Sequence, residues 1–229
     1  DAAGLDIRLT EYLSQMDCDT AIERCRVELA YGDMARVLLM KGDPRIVAGL
    51  CGRMALVTAH TKRIRQLKHL NERMVGIDRL SATDYWSDEL MRKAGLEQTS
   101  IYRPQVNDVQ LRTSMLTEQL LDAALLPEPY ATQATRSGNR QLFCTNDSSP
   151  SFACLVVPAA TLTDTLRTGQ IHRFFAAYNR AVEVLNSEEL NTDSLRSILR
   201  GPYALAGDVA GHLVGGALVE QGVEVVQAL

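Results

Sequence analysis

The sequence is informative first for what it lacks: it has no long apolar run, no block of basic residues and no CxxC pair among its five cysteines. A helix that spans a bilayer needs about 20 consecutive apolar residues, and no segment approaches that length. Binding to nucleic acid needs a concentrated positive face, yet the net charge is −4. We therefore expect neither a membrane-spanning helix nor a nucleic-acid partner.

The cysteines and histidines argue against a metal or cofactor site. An odd number of cysteines in a chain of 229 residues does not suggest a disulfide framework, so we expect mostly buried thiols. A Cys18–Cys25 bridge is the alternative, although the offset fits two turns of one helix better. The four histidines are scattered and show no metal-ligand spacing with the cysteines. The sequence predicts no metal and no cofactor.

The first residues lack the basic and apolar regions of an export signal. They read instead as the end of a helix, a stop at Gly4 and then a strand. Because a domain rarely begins with the end of a helix, we expect an earlier strand–helix unit, and any export signal, outside the printed sequence. The apolar run Val223–Leu229 leads to the expectation that the C-terminus is incomplete too.

Short apolar runs alternate with amphipathic segments, a pattern typical of βαβ units and a largely parallel sheet. The predicted strands are Leu5–Tyr12, Val27–Tyr31, Ile46–Leu50, Ala55–Ala59, Met74–Ile77, Ile101–Arg103, Asp122–Leu126 and Phe152–Val157. The predicted helices are Asp17–Arg26, Ser81–Ala94, Asn107–Leu120, Gln170–Asn186 and Thr192–Arg200. Asp17, Ser81 and Asn107 are expected to cap the first three, and Gly95 to end the second.

Residues 137–151 are the most loop-like stretch, and we interpret them as a crossing between two lobes. Residues 1–62 and 150–229 are then a discontinuous first lobe, and residues 63–149 a second lobe. Trp86 and the apolar residues of Gln170–Asn186, which recur at steps of three and four, are expected to pack in the cores. A cleft between two such lobes is a common place for a ligand.

Four segments carry a resemblance to a known family. The run RMVGIDRLSATDYWSDELMRKAGL (73–96) resembles the opening of the second lobe in type II periplasmic binding proteins, in particular the branch that serves sulfonate, taurine, nitrate and thiamine-pyrimidine importers. LLDAALLPEPYATQA (120–134) resembles a strand and turn of the same proteins, and GLDIRL and VELAYGD resemble their first-lobe strands. The chain departs from the family at Asn71-Glu72, where Lys-Gly is frequent.

The resemblance implies an α/β, two-lobed periplasmic binding protein-like II fold, with each lobe a mostly parallel sheet flanked by helices. It implies a monomer without catalysis that captures a small molecule and delivers it to the membrane permease of an ATP-binding-cassette importer. Such a protein would be periplasmic or a membrane-anchored lipoprotein. The resemblance also implies that a loop of the expected N-terminal unit supplies one wall of the ligand site.

Ser81, Ala82 and Thr83 lie where a predicted strand turns into a helix. The first N–H groups of a helix are free and its dipole favours an anion, and the two hydroxyl groups can add donors. These three residues are therefore candidate ligand contacts. The alternative is plain N-capping by Ser81 or Thr83.

Gly32 and Asp33 follow a predicted strand of the first lobe. Gly32 permits a close backbone approach, and Asp33 can accept from an amine or cap the following helix. Arg53 follows the next strand and can pair with a carboxylate or sulfonate, or lie solvated at a hinge.

Glu128 and Tyr130 follow the last strand of the second lobe. Glu128 can bind a positively charged or NH-bearing ligand and Tyr130 can stack or donate; alternatively, the neighbouring prolines fix a turn and Glu128 caps a helix. Asn107 begins a helix at a strand end and is expected to face the cleft. Arg53 and the Ser81 turn favour an anion, whereas Glu128 favours an amine or a heterocycle.

Two other functions compete with the importer hypothesis. The first is an enzyme on the same fold, of the menaquinone-pathway or thiamine-pyrimidine type. The sequence argues weakly against it, because no nucleophile–base pair or metal-ligand spacing is visible. The second is the ligand-sensing domain of a receptor or regulator.

Overall fold

The computed structural model describes residues 4–146 and 148–186, which form two lobes around two separate sheets. The sheet of the first lobe has the order β1-β7-β2 and comprises β1 (Ala30–Asp33), β2 (Arg45–Gly49) and β7 (Ala153–Val157). The sheet of the second lobe has the order β4-β5-β3-β6 and comprises β3 (Met54–Thr58), β4 (Val75–Gly76), β5 (Ala123–Pro127) and β6 (Arg140–Cys144).

Helices flank both sheets. Those of the first lobe are α1 (Gln15–Glu23), α2 (Met34–Val37), α6 (Ala159–Leu162) and α7 (Thr165–Asn186). Those of the second lobe are α3 (Ala82–Ala94), α4 (Val109–Thr117) and α5 (Tyr130–Arg136), with short 3₁₀ turns at His60–Lys62, Leu67–Leu70 and Gln98–Ser100. Within the described residues, no helix has both the length and the apolar character needed to cross a membrane.

The second lobe packs a core on both faces of its sheet. Leu56 and Leu125 pack with Trp86 of α3 on one face, and Val57 and Leu126 pack with α4 and α5 on the other. Trp86 is 4% exposed, which confirms its predicted core position. In the first lobe, α7 packs its apolar face on β2 and β7, as its periodicity predicts.

The sheets are less parallel than the prediction of a mostly parallel sheet. Among the described strands only β4 and β5 pair in parallel, and two parallel bridges, Met74 to Tyr102 and Ile77 to Gln105, continue this arrangement outward. β3 is antiparallel to β5 and β6, and β7 is antiparallel to β1 and β2. The parallel βαβ pattern thus covers the series from β4 to β5, whereas the strands next to the crossings are antiparallel to their neighbours.

The chain passes between the lobes twice, after β2 and after β6. Ser151 joins the two crossings, because its Oγ donates to Leu50 O at 2.6 Å and accepts from Gly52 N at 3.1 Å. The predicted boundary at residue 62 is therefore too late, since β3 pairs within the second sheet. The segment 137–151 is not all loop either: β6 lies within it, and the crossing is shorter.

Several predicted element bounds are wrong. Residues 5–12 form no strand, and Leu9 is 89% exposed because no described strand pairs with this segment. The predicted strand at Val27–Tyr31 is shifted to β1. Ser14 caps α1, since its Oγ accepts from Asp17 N at 3.3 Å, and Asp17 lies in the first turn, where its charge suits the helix dipole.

The start of α4 is also displaced, because Asp108 and not Asn107 is its N-cap. The start and stop of α3 are confirmed: Ser81 is its N-cap, and Gly95 ends it with a φ of 68°, a left-handed conformation that favours glycine. Thr192–Arg200 and Val223–Leu229 lie outside the described residues.

None of the five cysteines forms a disulfide, so the alternative Cys18–Cys25 bridge is not formed. The expectation of mostly buried thiols is wrong. Cys154 in the centre of the first sheet is buried, Cys18 and Cys144 are half-buried, and Cys25 and Cys51 are exposed. The exposed ones follow the end of α1 and the end of β2, where no element covers them.

Candidate functional site

The candidate site lies at the seam, which we define as the surface where α1 and α2 of the first lobe meet residues 78–82 of the second. Parallel strands place their carboxyl ends at one edge of a sheet, and ligands bind there in open α/β folds. Asp78 follows β4 and Glu128 follows β5 at that edge. Asp33 ends β1 on the facing side of the first lobe.

The hydroxyl groups of Ser81 and Thr83 are used inside the second lobe. Ser81 Oγ accepts from Thr83 N at 3.1 Å and lies 2.7 Å from Asp78 O, to which it donates. Thr83 Oγ1 donates to Asp78 O at 2.9 Å and accepts from Asp78 N at 2.8 Å. Both residues are buried, 4% exposed each. The capping alternative is therefore correct for Ser81, whereas the Thr83 hydroxyl bonds the backbone of Asp78 and, together with that of Ser81, fixes the turn that precedes α3.

Asp33 joins the two lobes. Its Oδ2 accepts from Ala82 N, the first amide of α3, at 2.7 Å, and its Oδ1 accepts from Ala35 N in α2 at 2.9 Å. The carboxylate thus caps α2, as its alternative interpretation predicts, and also serves the N-terminus of a helix in the other lobe. Helix N-termini attract negative charge, which explains why a carboxylate is stable there.

Arg36 makes a second bridge between the lobes from the same helix, α2. Its Nη1 donates to Arg79 O at 3.0 Å and lies 3.4 Å from Asp78 Oδ1. Its Nε donates to Asp19 of α1, which orients the guanidinium. Asp19 and Asp78 are 8% and 6% exposed. The seam therefore holds two carboxylates, Asp19 and Asp78, paired with one arginine, and the charge of that arginine also acts on Asp33.

Burial dominates the electrostatics of the seam. Desolvation raises the pKa of Asp33, although the amides of Ala82 and Ala35 and the charge of Arg36 oppose the rise. Desolvation also raises the pKa of Asp78, against the charges of Arg36 and Arg112. Ionising either carboxyl group is thus harder in the folded protein than in water.

Gly32 has a packing role. A Cβ atom at this position would lie 3.1 Å from Val156 Cγ1 and 3.2 Å from Val37 Cγ2. Gly32 therefore lets α2 approach β7 closely, which places Asp33 and Arg36 at the seam.

The other candidates of the second lobe lie further along its edge. Glu128 Oε2 accepts from Thr132 N at 3.1 Å, so it caps α5 as the structural alternative predicts. Gln110 Nε2 donates to Tyr130 Oη at 3.5 Å. Burial raises the pKa of the Cys144 thiol, with Glu128 adding to the rise and Arg53 opposing it. Arg53 and Glu128 therefore lie near the same thiol beside the crossing.

Asn107 contacts the first lobe. Its Nδ2 lies 2.6 Å from Met16 Sδ in α1, and its Oδ1 accepts from Gln105 Nε2 at 2.8 Å. Tyr85 of α3 makes another contact across the lobes, with its ring centroid 4.9 Å from that of Phe152. The predicted residues thus fall into two groups. One group, with Asp33 and Ala82, lies at the seam, and the other, with Arg53 and Glu128, lies beside the crossing.

Sequence reasoning missed Asp19, Arg36 and Asp78. A signal existed for Asp78, because it directly follows a predicted buried strand and so stands at a strand's carboxyl end. Arg36 and Asp19 had no comparable signal, since neither ends a predicted strand and only the packing of α1 against α2 brings them to the seam.

Two cavities lie on the second lobe, and the larger of them reaches the seam at Arg79. One has a volume of about 870 Å³ and is lined by residues that include Arg79, Tyr102, Arg103 and Asp122. The other has a volume of about 610 Å³ beside the far part of α3. No group of three or more potential metal ligands occurs in residues 4–146 and 148–186.

No protein-family model matches the chain, and no curated protein matches its sequence. Solved structures match its fold. The alkanesulfonate-binding protein SsuA from Xanthomonas axonopodis pv. citri, bound to MOPS, has a TM-score of 0.77 at 13% identity over 94% of this chain and 74% of that one. The periplasmic nitrate-binding protein NrtA from Synechocystis PCC 6803 has a TM-score of 0.79 at 11% identity over 97% of this chain and 66% of that one.

A fungal protein shares the architecture as well. The Candida albicans CA3427 gene product, described as founding a new family with the generic periplasmic binding protein fold, has a TM-score of 0.71 at 13% identity, over 98% of this chain and 74% of that one. The identities are too low to carry ligand or partner across. The chain has the two-lobed α/β fold of the periplasmic binding proteins.

Proposed function

We propose that this chain is the solute-binding component of an ATP-binding-cassette importer, which captures a small molecule between its lobes and delivers it to a membrane permease. The fold supports this proposal, since it is shared with proteins described as sulfonate-binding and nitrate-binding. A periplasmic location, with or without a lipid anchor, and a monomeric state belong to the same proposal.

The observation that carries the proposal is the meeting of polar groups from both lobes at the seam. Asp33 and Arg36 of the first lobe face Asp78 and the first amide of α3 in the second. A ligand that contacts both lobes favours the closed arrangement over the open one, and the closed form can be read by a permease. No catalytic step is needed for this function.

The proposed ligand contacts are the residues at this edge of both lobes: Gly32, Asp33, Arg53, Ser81, Ala82, Thr83, Asn107, Glu128 and Tyr130. Because the Ser81 and Thr83 hydroxyls are already bonded, we expect this turn to contribute backbone N–H groups instead. An anion such as a sulfonate or nitrate suits the N-terminus of α3, whereas an amine or a pyrimidine suits the carboxylates.

The test is a thermal-shift screen with alkylsulfonates, MOPS, taurine, nitrate, aminopyrimidines and small carboxylates. A ligand present at 100 times its Kd stabilises the folded state by about 2.7 kcal/mol, which gives a readable rise in Tm. We expect Arg53→Met to weaken binding of a sulfonate or carboxylate at least about tenfold, because a hydrogen bond to a charged group contributes about 1.5–3 kcal/mol. Arg92→Met is the control, since Arg92 pairs with Glu89 on the outer face of α3.

The fate of the ligand separates a binding protein from an enzyme. After prolonged incubation, mass spectrometry should recover the bound ligand chemically unchanged. A ligand that is consumed would replace the importer proposal with an enzyme on the same fold. The absence of any stabilising compound, or equal loss of binding in Arg53→Met and Arg92→Met, would contradict the proposed site.

A further inference from the structure

We propose that Asp33 and Arg36 form a latch that holds the two lobes together without a ligand, with the Asp33 carboxylate occupying the helix N-terminus that an anionic ligand would otherwise use. The role of the latch in capture rests on the proposed function, but its existence does not.

The second lobe satisfies every free amide at the start of α3 except one. Thr83 N donates to Ser81 Oγ at 3.1 Å, and Asp84 N and Tyr85 N donate to Ser81 O at 3.0 and 3.1 Å. Ala82 N is the remaining donor, and its acceptor is Asp33 Oδ2 of the first lobe at 2.7 Å. If the lobes separated, Ala82 N would lose this acceptor, and only water could replace it.

The carboxylate is held in place from its own lobe. Asp33 Oδ1 accepts from Ala35 N at 2.9 Å, so the two oxygens serve helix starts in different lobes. Gly32 allows α2 to lie close to β7, since a Cβ there would touch Val37 and Val156. The carboxylate is therefore positioned before the lobes meet, which reduces the entropic cost of the contact.

Arg36 adds a contact of the opposite charge. It reaches Arg79 O at 3.0 Å and Asp78 Oδ1 at 3.4 Å in the second lobe, while Asp19 fixes its Nε from α1. Two polar contacts between the lobes thus lie close together: the Asp33 carboxylate on the amide of Ala82, and the Arg36 guanidinium on the Asp78 carboxylate. The contacts are shielded, because the side chains of Arg36 and Asp78 are 15% and 9% exposed, and shielding strengthens them.

The latch has a consequence for ligand capture. An anion that binds the first amides of α3 must displace Asp33 from Ala82 N, so its binding competes with closure of the empty protein. An anion whose affinity for these amides is too low to displace Asp33 is therefore not captured there. A ligand that contacts Arg53 and Glu128 leaves the latch closed.

The experiment uses the full chain, unfolded and refolded to remove any bound ligand, in a buffer without sulfonates. Asp33→Asn keeps the side-chain shape but leaves one acceptor oxygen for two helix starts. Hydrogen exchange followed by NMR should show that Ala82 N loses at least about tenfold of its protection, whereas Thr83 N, capped by Ser81, does not. Small-angle X-ray scattering should show a larger radius of gyration for the variant.

The matched control is Asp108→Asn, which makes the same charge change in a carboxylate that caps α4 inside one lobe. It should change neither the protection of Ala82 N nor the radius of gyration. Unchanged protection of Ala82 N in Asp33→Asn would overturn the latch. Lost protection with an unchanged radius would overturn it too, because the contact would then be only a cap. If Asp33→Asn does not fold, Arg36→Met takes its place. The same two measurements, the radius of gyration and the protection of Ala82 N, then decide the outcome.

Discussion

Helices α3 and α4 both begin at the edge of the second lobe that faces the first, and each starts with amides that need acceptors. For α4 the acceptor belongs to the same lobe: Asp108 Oδ1 accepts from Gln110 N at 2.8 Å and from Leu111 N at 3.0 Å. Helix α3 finds one of its acceptors, Asp33, in the other lobe. The same requirement of helix geometry is thus met locally in one helix and by tertiary contact in the other.

The difference indicates which parts of the second lobe move as a unit. The start of α4 keeps its hydrogen bonds however the first lobe moves, because its cap, Asp108, belongs to the same lobe. So does Arg112, which we call the anchor of α4 because it bonds this helix to its own sheet. The start of α3 keeps all of its hydrogen bonds only while the lobes touch. A change at α4 should therefore affect stability alone, whereas a change at Asp33 should affect the arrangement of the lobes.

The largest expected effect comes from breaking the anchor of α4. Arg112 is 3% exposed, and it donates from Nε to Leu125 O at 3.1 Å and from Nη1 to Val106 O. Arg112→Met keeps the apolar stem but leaves two carbonyls without this donor, so we expect the free energy of unfolding to fall by about 3 kcal/mol. Urea denaturation measures it.

Arg92→Met provides the comparison for this substitution, since Arg92 lies on an exposed face and pairs only with Glu89 among the bonds described. Its loss should leave the free energy of unfolding nearly unchanged, because an exposed ion pair contributes little. Equal destabilisation by the two substitutions would show that the anchor does not hold α4 in its lobe.

The next effect comes from removing the caps of both helices. Ser81→Ala and Asp108→Ala each remove an N-cap side chain, which typically costs about 1 kcal/mol. We expect similar losses of stability, measured by urea denaturation, but a difference in the scattering radius. Ser81→Ala also frees the turn at Asp78 that Arg36 contacts, so it should loosen the seam, and Asp108→Ala should not. Identical scattering from both variants would remove the distinction between the two helix starts.

The comparison also explains which features the sequence predicts. The cap, length and glycine stop of α3 are local and were predicted from Ser81 to Gly95, and the α/β, two-lobed architecture follows from the family-like segments. Asp108 was missed for Asn107 because both residue types cap well and only the backbone decides between them. The cross-lobe partners Arg36, Asp78 and Asp19 were missed because their proximity depends on packing between distant segments.

The absent strand at Leu5–Tyr12 illustrates the same limit. Its apolar residues alternate as in a strand, but a strand requires a neighbour to bond with, and no described strand pairs with it. The direction of β3 and β7 could not be predicted for a related reason, since alternation of strands and helices says nothing about strands that carry the chain between lobes. Local patterns predict elements, whereas pairing depends on the whole fold.

The smallest expected effect concerns the charge of the seam. Desolvation raises the pKa of Asp78 above that of the unfolded chain, with the charges of Arg36 and Arg112 limiting the rise. A raised pKa in the folded state means that folding favours the protonated carboxyl, so this contribution to stability is fully present below the unfolded pKa of about 3.9 and is lost as the pH rises through the folded pKa.

Asp78→Asn imitates the protonated form at every pH. We therefore expect the Tm of the variant relative to the wild type to be most favourable near neutral pH and to decline as the pH falls towards about 4. A difference that is constant with pH would mean that Asp78 is no harder to ionise in the fold than in water, and that Arg36 compensates its burial completely.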